Sequence, residues 1–243
     1  MASKVLLFIG SGARIGASTV KTFLAAGYKV AQASRSLKAE DSTEDNLHLV
    51  IDATKPETIT AAFEETRKKL GEPNVVIYNV AAVHFVEASD PLPHLSLSDF
   101  TTDLTINTTS AFIAAREALT SFNTLPSSTH KAFLYTGNVL NEQRPIPGFL
   151  TNGVGKSATA YLIAEADEVY KKKGIRFHFV DERTAEGKPM YNRISGDGHA
   201  EFFLELAEGG KGDEVPWQAT FVSKKGYVQF PIRGVELQAF ERR

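Results

Sequence analysis

Cysteine is absent from this chain of 243 residues. That absence excludes disulfide bonds, thiolate nucleophiles and zinc sites with cysteine ligands. Its six histidines are scattered, with no pair at helical spacing. The sequence therefore predicts no metal site, because histidine ligands on one helix would need that spacing.

The sequence also lacks a long hydrophobic run and an excess of charge of either sign. Its N-terminal apolar run, Val5 to Ile9, is too short for a signal sequence or a membrane helix. A formal net charge of −2 provides no basic field for nucleic acid or an anionic membrane. We therefore expect a cytoplasmic protein whose partner is a small molecule, with no nucleic-acid or membrane partner.

Short apolar runs alternate with helical patterns along the chain. The strand-like runs are KVLLFI, YKVAQAS, LHLVID, NVVIYN, KAFLYTG, IRFHFV and ATFVSKKGYVQF. The two longest predicted helices cover about 98–122 and 153–173. Such alternation is typical of a parallel sheet covered on both faces. Without repeats or linkers, residues 1–243 are predicted to form one α/β domain with a doubly wound, Rossmann-like parallel sheet of about seven strands.

A glycine-rich segment, FIGSGARIGAST, joins the first predicted strand to the first helix. Glycines 10, 12 and 16 let the backbone turn sharply, and the helix N-terminus that follows presents free N–H groups and a positive dipole. This combination favours the pyrophosphate of a dinucleotide. The alternative at this stage is a tight strand-to-helix turn that binds no ligand.

The glycine segment and later strand ends together resemble the short-chain dehydrogenase/reductase family, over nearly the whole length to about Phe230. That family opens with T-G-x-x-x-G-x-G, where this chain has IGSGARIG. The first and last glycines match, while Ile9 replaces the threonine and Arg14 the middle glycine. The resemblance implies a dinucleotide cofactor, bound in this segment by Gly10, Ser11, Arg14, Ile15 and Gly16.

Six further residues extend the resemblance. It places Asp52 and Ala53 against the adenine, and Asn79 and Ala81 of the segment YNVA beside the cofactor. It matches Asn107 to the structural and catalytic asparagine of the family, and Lys156 to the lysine of Y-x-x-x-K, which also binds the cofactor ribose. The plainer alternatives are a capping role for Asp52, a helix kink at Asn107 and a solvated Lys156.

The charge after the second strand predicts which dinucleotide binds. An acidic residue there would hydrogen-bond the ribose 2′-hydroxyl and repel a 2′-phosphate. This chain has Arg35 at that point, and a guanidinium binds phosphate oxygens well. Arg14 is expected to reach the same phosphate from the glycine turn. The alternative is that both arginines are ordinary surface residues. We predict NADP(H) in preference to NAD(H).

The catalytic positions depart from the family pattern. Asn152 stands four residues before Lys156, where the family has its acid tyrosine, and an amide cannot titrate. Asn138 stands at or next to the family serine, where it still offers a hydrogen bond to a carbonyl oxygen. After the sixth strand the chain reads Asp181-Glu182-Arg183, where the family usually has Pro-Gly. Replacement acids are sought among three residues, His84, Tyr135 and Tyr191.

Two functions are consistent with these residues. The first is an NADPH-dependent oxidoreductase that reduces a small carbonyl or related unsaturated substrate, with Asn107, Asn138, Asn152 and Lys156 at the catalytic site. The alternative is a dinucleotide-binding scaffold that no longer transfers hydride. The resemblance also implies a homodimer or homotetramer built on the two long helices, whose apolar positions include Ala111, Ala115, Leu119, Ala160, Ile163 and Ala164.

Overall fold

An eight-stranded sheet organises the chain in the computed structural model, which describes residues 4–142, 145–210 and 214–231. The closing segment 233–243, to which the sequence assigns no role, lies outside these ranges. The strands are β1 Val5–Ile9, β2 Lys29–Ser34, β3 Asn46–Val50, β4 Val75–Tyr78, β5 Lys131–Thr136, β6 Ile175–Glu182, β7 Gln218–Val222 and β8 Gly226–Tyr227.

The strand order is β3-β2-β1-β4-β5-β6-β7-β8. The first seven strands are parallel, and the two-residue β8 pairs antiparallel with β7. This confirms the doubly wound α/β fold, with the last predicted strand divided into a short hairpin. The order reverses between β1 and β4, and in such sheets ligands bind at that point, outside the carboxyl ends of the strands.

Helices cover both faces of the sheet. They are α1 Ile15–Ala25, α2 Glu57–Lys69, α3 Leu97–Leu104, α4 Ser110–Thr124, α5 Leu150–Tyr170 and α6 Gly196–Ala207. One apolar cluster lies between the sheet and α1 with α6, and the other between the sheet and α2, α4 and α5. Alternate residues of β1 enter the two clusters, which explains why its apolar run has no polar interruption. None of the helices described is both long and apolar enough to cross a membrane.

Two boundaries differ from the sequence prediction in ways that affect the site. β6 continues through Asp181 and Glu182, because these residues pair with Thr220 and Phe221 of β7. They therefore belong to the sheet and not to the turn after it. The fifth helix begins at Leu150, which brings Asn152 into the same helix as Lys156.

The apolar residues named for self-association require a correction. Ala111, Ala115, Ala160 and Ile163 are buried in the cluster beneath α4 and α5, and Leu119 packs against that cluster. These side chains cover the sheet. The outward faces of the same helices carry other apolar residues, namely Phe112, Val154, Tyr161 and Val169.

Candidate active site

The glycine turn is held tightly between the ends of β1 and β4 and the start of α1. Gly10 has a φ of +97°, and an added Cβ would lie 2.7 Å from the backbone nitrogen of Val80. A Cβ on Gly16 would lie 2.8 Å from the Cα of Ser11. Neither position has room for a side chain, so the turn keeps a shape that only glycine permits.

A cleft of about 650 Å³ opens beside this turn. The ends of β1, β2 and β4, the segment after β3 and the last turn of α3 form its walls. Among the residues predicted to bind the cofactor, seven line it: Gly10, Ser11, Arg35, Asp52, Ala53, Asn79 and Ala81.

Asp52 forms the local cap that the sequence gave as the plainer alternative. Its Oδ1 accepts hydrogen bonds from the backbone N–H of Thr54 at 3.0 Å and from the Thr54 hydroxyl at 2.8 Å. These bonds lower the pKa of the Asp52 carboxyl, and the positive charges of Lys55 and Arg35 lower it further. Asp52 is thus a local cap that also forms part of the cleft wall.

Arg14 contacts the segment between β6 and α6, whereas Arg35 lines the cleft. Arg14 Nη1 donates a hydrogen bond of 3.1 Å to the backbone oxygen of Asn192, in the segment between β6 and α6. The start of α1 packs against the start of α6, where an added Cβ on Gly196 would lie 2.7 Å from the backbone oxygen of Arg14. The neighbouring Ile15 packs into the apolar cluster under α1 and α6. The expectation that both arginines reach one phosphate does not fit this arrangement.

Asn107 lies in a π-helical segment, Thr105–Thr109, between α3 and α4. Its side-chain Oδ1 accepts from the backbone N–H of Ala82 at 3.0 Å, and its Nδ2 donates to the Ala82 oxygen at 2.9 Å. Its own backbone oxygen accepts from the hydroxyls of Tyr135, at 3.0 Å, and Thr159, at 2.8 Å. The residue is fully buried and joins the segment after β4 to α5.

Asn152 connects the cleft to a second cavity. Its Nδ2 donates to the backbone oxygen of Ala82 at 2.9 Å, and its Oδ1 accepts from Asn138 Nδ2 at 3.0 Å. Ala82 lines the cleft, while Asn138 lines a neighbouring cavity of about 320 Å³. Both halves of the Asn152 amide are therefore engaged in holding these walls together.

Lys156 lies one helical turn after Asn152 and is 3% exposed, so the solvated alternative is wrong. Its Nζ donates to the backbone oxygen of Thr136 at 2.7 Å and lies 4.4 Å from the ring centroid of Tyr135. Burial lowers the pKa of Lys156 to about 7, and the negative charge of Asp181 partly offsets that effect.

A buried ion network borders the second cavity. Asp181, at the end of β6, accepts from Arg183 Nε at 2.5 Å, and Arg183 Nη2 donates to Glu142 at 2.7 Å. Burial raises the pKa of Asp181 to about 6, although the Arg183 charge opposes this shift. The other cavity walls are largely apolar and include Leu140, Ile146, Phe149 and Met190. The cavity can therefore accept an apolar molecule with few polar groups.

Comparison with known proteins identifies the family. A family model described as Enoyl-(Acyl carrier protein) reductase matches residues 11–200. The short chain dehydrogenase/reductase dmxR12 of Cryptosporiopsis sp. (strain 8999) is 40% identical over 242 residues, covering 95% of this chain and 96% of that protein. The chain belongs to the short-chain dehydrogenase/reductase family. Its relatives are oxidoreductases, which supports an oxidoreductase here.

Solved structures of the short-chain dehydrogenase/reductase family share the fold. One from Serratia marcescens BCRC 10948 has a TM-score of 0.73 and 20% identity, covering 90% of this chain and 96% of that one. The NADPH-bound structure of a short chain oxidoreductase from Pseudomonas aeruginosa PAO1, described as containing an atypical catalytic center, has a TM-score of 0.74 and 14% identity. It covers 92% of this chain and 96% of that one.

The three residues that the sequence suggested as replacement acids lie in different surroundings. Tyr135 is fully buried, with its hydroxyl bonded to the Asn107 backbone oxygen, and burial raises its pKa further above the ordinary value. It is not placed to donate a proton to a ligand. Tyr191 is exposed at the second cavity with a φ of +52°. His84 borders the cleft, where it contacts Asp103.

Sequence reasoning missed Asp103, as well as the pairing of Asp181 with Arg183. Asp103 lies four residues before Asn107, and that spacing places both on one side of a helix. An acidic residue on the inward side of a helix is uncommon, because a buried carboxylate needs a partner. The four-residue spacing to Asn107 was the signal by which the sequence could have identified Asp103. The partner His84 left no such signal, because it lies 19 positions away in the sequence.

Proposed function

We propose that this protein is an NADPH-dependent reductase of a small carbonyl or related unsaturated substrate, acting in the cytoplasm. The observation that carries the proposal is the position of Arg35. It lines the cleft at the end of β2, beside the glycine turn and near Asp52. A carboxylate at this place would repel a 2′-phosphate, whereas a guanidinium attracts one.

The cleft has the features that a dinucleotide requires. Gly10 and Gly16 have no room for a side chain, whereas a Cβ on Gly12 would meet no atom within 4 Å. The turn is therefore narrow towards the protein and open towards the cleft. The first N–H groups of α1, which begins at Ile15, have no partner within their own helix and are suited to a pyrophosphate.

Residues of α5, of the π-helical segment and of the second cavity divide the remaining tasks. Bound NADPH would supply the hydride. Lys156 keeps donor capacity beyond its bond to Thr136, and we assign it to the ribose hydroxyls of the cofactor. Asn138 uses its Nδ2 on Asn152 and retains a second amide hydrogen, which we assign to the substrate oxygen. Asn107 and Asn152 keep the Ala82 segment in place.

The proposal has support from the relatives. The Pseudomonas aeruginosa protein was solved with NADPH and is described as having an atypical catalytic center. It shows that an unusual centre and NADPH occur together on this fold. The argument is one of analogy, because fold alone does not determine function.

One observation favours the second candidate, a scaffold that binds a dinucleotide without hydride transfer. Both polar groups of the Asn152 amide are engaged with Ala82 and Asn138. Asn152, at the position of the family acid, therefore makes structural hydrogen bonds with its whole side-chain amide. Tight NADPH binding without oxidation by any carbonyl compound would favour this candidate.

Calorimetric titration with NADPH and NADH tests the cofactor assignment. We expect tighter binding of NADPH, and a loss of about 1.5–3 kcal/mol of its binding free energy in Arg35→Ala, because a charge-assisted hydrogen bond is lost. NADH binding should change little. Arg14→Ala is the matched control, because Arg14 contacts Asn192. Equal affinities for both cofactors, or unchanged NADPH binding in Arg35→Ala, would contradict the assignment.

A panel of aldehydes, ketones and imines then tests the activity. The loss of NADPH absorbance in the presence of one of these compounds is the expected result. Absence of any loss, with NADPH bound, would contradict the reductase and leave the scaffold.

A further inference from the structure

Asp103 is a fully buried carboxylate. Among the described residues, its hydrogen-bond partners are two nitrogens of one residue, His84. Its Oδ2 accepts from the backbone N–H of His84 at 2.6 Å, and its Oδ1 lies 2.9 Å from His84 Nδ1. Its side chain has no exposed surface. A buried carboxylate is costly unless it is paired and hydrogen-bonded, so this contact positions the His84 side chain firmly.

The contact also determines how the imidazole presents its other nitrogen. A carboxylate at Nδ1 holds the proton there and orients the ring, which directs Nε2 outward. In the described part of the chain, Nε2 lies 3.4 Å from Oδ1 of Asp99, and the His84 side chain is 45% exposed. Both charged groups against the ring come from α3. The ring is thus held at Nδ1 by Asp103, while its Nε2 edge faces Asp99 in a partly exposed position where it can exchange protons with solvent.

His84 lies close to the position where the family tyrosine is missing. It borders the cleft that the glycine turn also lines. Its backbone nitrogen is 3.3 Å from the hydroxyl oxygen of Thr151, the residue before Asn152. Asn152 in turn bonds to Ala82, two positions before His84.

The other titratable groups nearby are less suitable as proton donors. The hydroxyl of Tyr135 is directed at the Asn107 backbone oxygen. Asp181 is held by Arg183 in a buried ion pair. Tyr191 lies in the segment between β6 and α6, where it borders the second cavity and not the cleft beside the glycine turn.

We propose that His84 is the general acid of the reduction and that Asp103 is its positioning residue. This inference rests on the proposed reductase function. The hydride electron pair from NADPH forms the new C–H bond at the carbonyl carbon, and the C=O π pair moves to oxygen. That oxygen takes the proton from Nε2 of the His84 imidazolium, which carries protons on both ring nitrogens, and the N–H bonding pair stays on Nε2. The products are the alcohol, NADP⁺ and a neutral imidazole, which solvent reprotonates at its exposed edge.

The test compares His84→Asn and Asp103→Asn with His94→Asn, an exposed histidine of the same loop that touches neither the cleft nor the second cavity. With a carbonyl substrate that the wild type reduces, His84→Asn is expected to lower kcat about 10²–10⁴-fold, the usual effect of losing a general acid. Asp103→Asn should give a smaller loss, and His94→Asn none. Because His84 and Asp103 line the cleft, kcat is compared at NADPH concentrations that saturate each of the four proteins, as calorimetry determines.

A second measurement does not depend on turnover. Nitrogen-15 NMR of the imidazoles, with the His84 signals assigned by their loss in His84→Asn, reports which ring nitrogen carries the proton. We expect the proton on Nδ1 in the neutral wild-type ring and a mixture of both forms in Asp103→Asn. A wild-type proton on Nε2 would overturn the positioning role of Asp103.

The outcomes separate the inference from the function on which it rests. A wild type that binds NADPH but reduces no carbonyl compound overturns both. An active wild type whose kcat equals that of His84→Asn overturns the general acid alone. If His84→Asn does not fold, His84→Ala with added imidazole decides: recovery of turnover supports the proposal, and turnover equal to the wild type without imidazole overturns it.

Discussion

Three asparagines form a connected group around the backbone of Ala82. Asn107 and Asn152 both donate to its oxygen, and Asn138 donates to Asn152. Amides suit such a group, because each offers donors and an acceptor without a charge that burial would penalise. At the residue scale, the site therefore has a rigid neutral centre, with the titratable groups Lys156 and His84 beside it.

A tyrosine at position 152 should supply a proton when His84 cannot. Asn152→Tyr places a phenol one helical turn before Lys156, whose ammonium would lower the phenol pKa. In the His84→Asn background we expect this change to raise kcat for carbonyl reduction, and more so with Asn138→Ser.

Asn152→Phe in the same background is the control, since it has a similar ring without the hydroxyl. Equal rates for the tyrosine and phenylalanine variants, measured by NADPH absorbance, would show that the phenol transfers no proton.

Lys156 should make stability depend on pH. Its pKa is about 7 in the folded protein and about 10.5 when unfolded, so between these values the unfolded chain binds the extra proton. The free energy of unfolding should then rise with pH from 7 towards 10, by at most about 1.4 kcal/mol per pH unit. Urea unfolding of the wild type and of Lys156→Met at several pH values measures the free energy of unfolding. If it changes with pH in the same way in both proteins, the prediction is wrong.

At the scale of elements, the π-helical segment and α5 are packed unusually closely. An added Cβ on Gly155 would lie 2.5 Å from the Cβ of Asn107. The Thr108 hydroxyl donates to the Gly155 oxygen at 3.1 Å. The close approach holds α5, which carries Lys156, against the segment that carries Asn107. Glycine at position 155 therefore has a packing explanation.

Gly155→Ala should destabilise the protein and disturb the site together. The methyl group forces α5 away from Asn107, and overpacking of this kind typically costs about 1–3 kcal/mol. Gly153→Ala in the same helix is the matched control, because its Cβ would meet no atom within 4 Å. Alanine there should be neutral or stabilise by about 0.5–1 kcal/mol, since glycine is a poor helix former. Chemical denaturation measures both, and equal effects would contradict the packing argument.

At the scale of the whole molecule, the outward faces of α4 and α5 carry exposed apolar side chains. They expose Phe112, Val154, Tyr161 and Val169, with Tyr161 at 74%. Apolar groups in one area of a surface often mark an interface between proteins. The family resemblance also favours association through these two helices.

We expect a homodimer or homotetramer by light scattering at micromolar concentration. The double change Phe112→Glu and Tyr161→Glu should reduce the mass, because charges would be buried in the interface. Val50→Glu is the control, since Val50 is exposed at the edge strand β3. A monomeric wild type, or an unchanged mass in the double variant, would contradict association through this face.

The sequence by itself was sufficient for the fold and for much of the cofactor cleft. Buried parallel strands require apolar runs, and the strand-to-helix turn requires glycine at Gly10 and Gly16, so both leave a local signal. The family resemblance placed Asp52 and Asn79 beside a cofactor, and in the structure both line the cleft next to the glycine turn.

The tertiary structure alone decided which side chains face each other. Arg14 contacts Asn192 because α1 packs on α6, although the two residues are 178 positions apart in the sequence. Asp181 remains in the sheet because β7 pairs with it. The contact of His84 with Asp103 likewise depends on how α3 packs against the segment after β4. A side chain's partner is set by packing between distant segments, and local residue patterns carry no record of that packing.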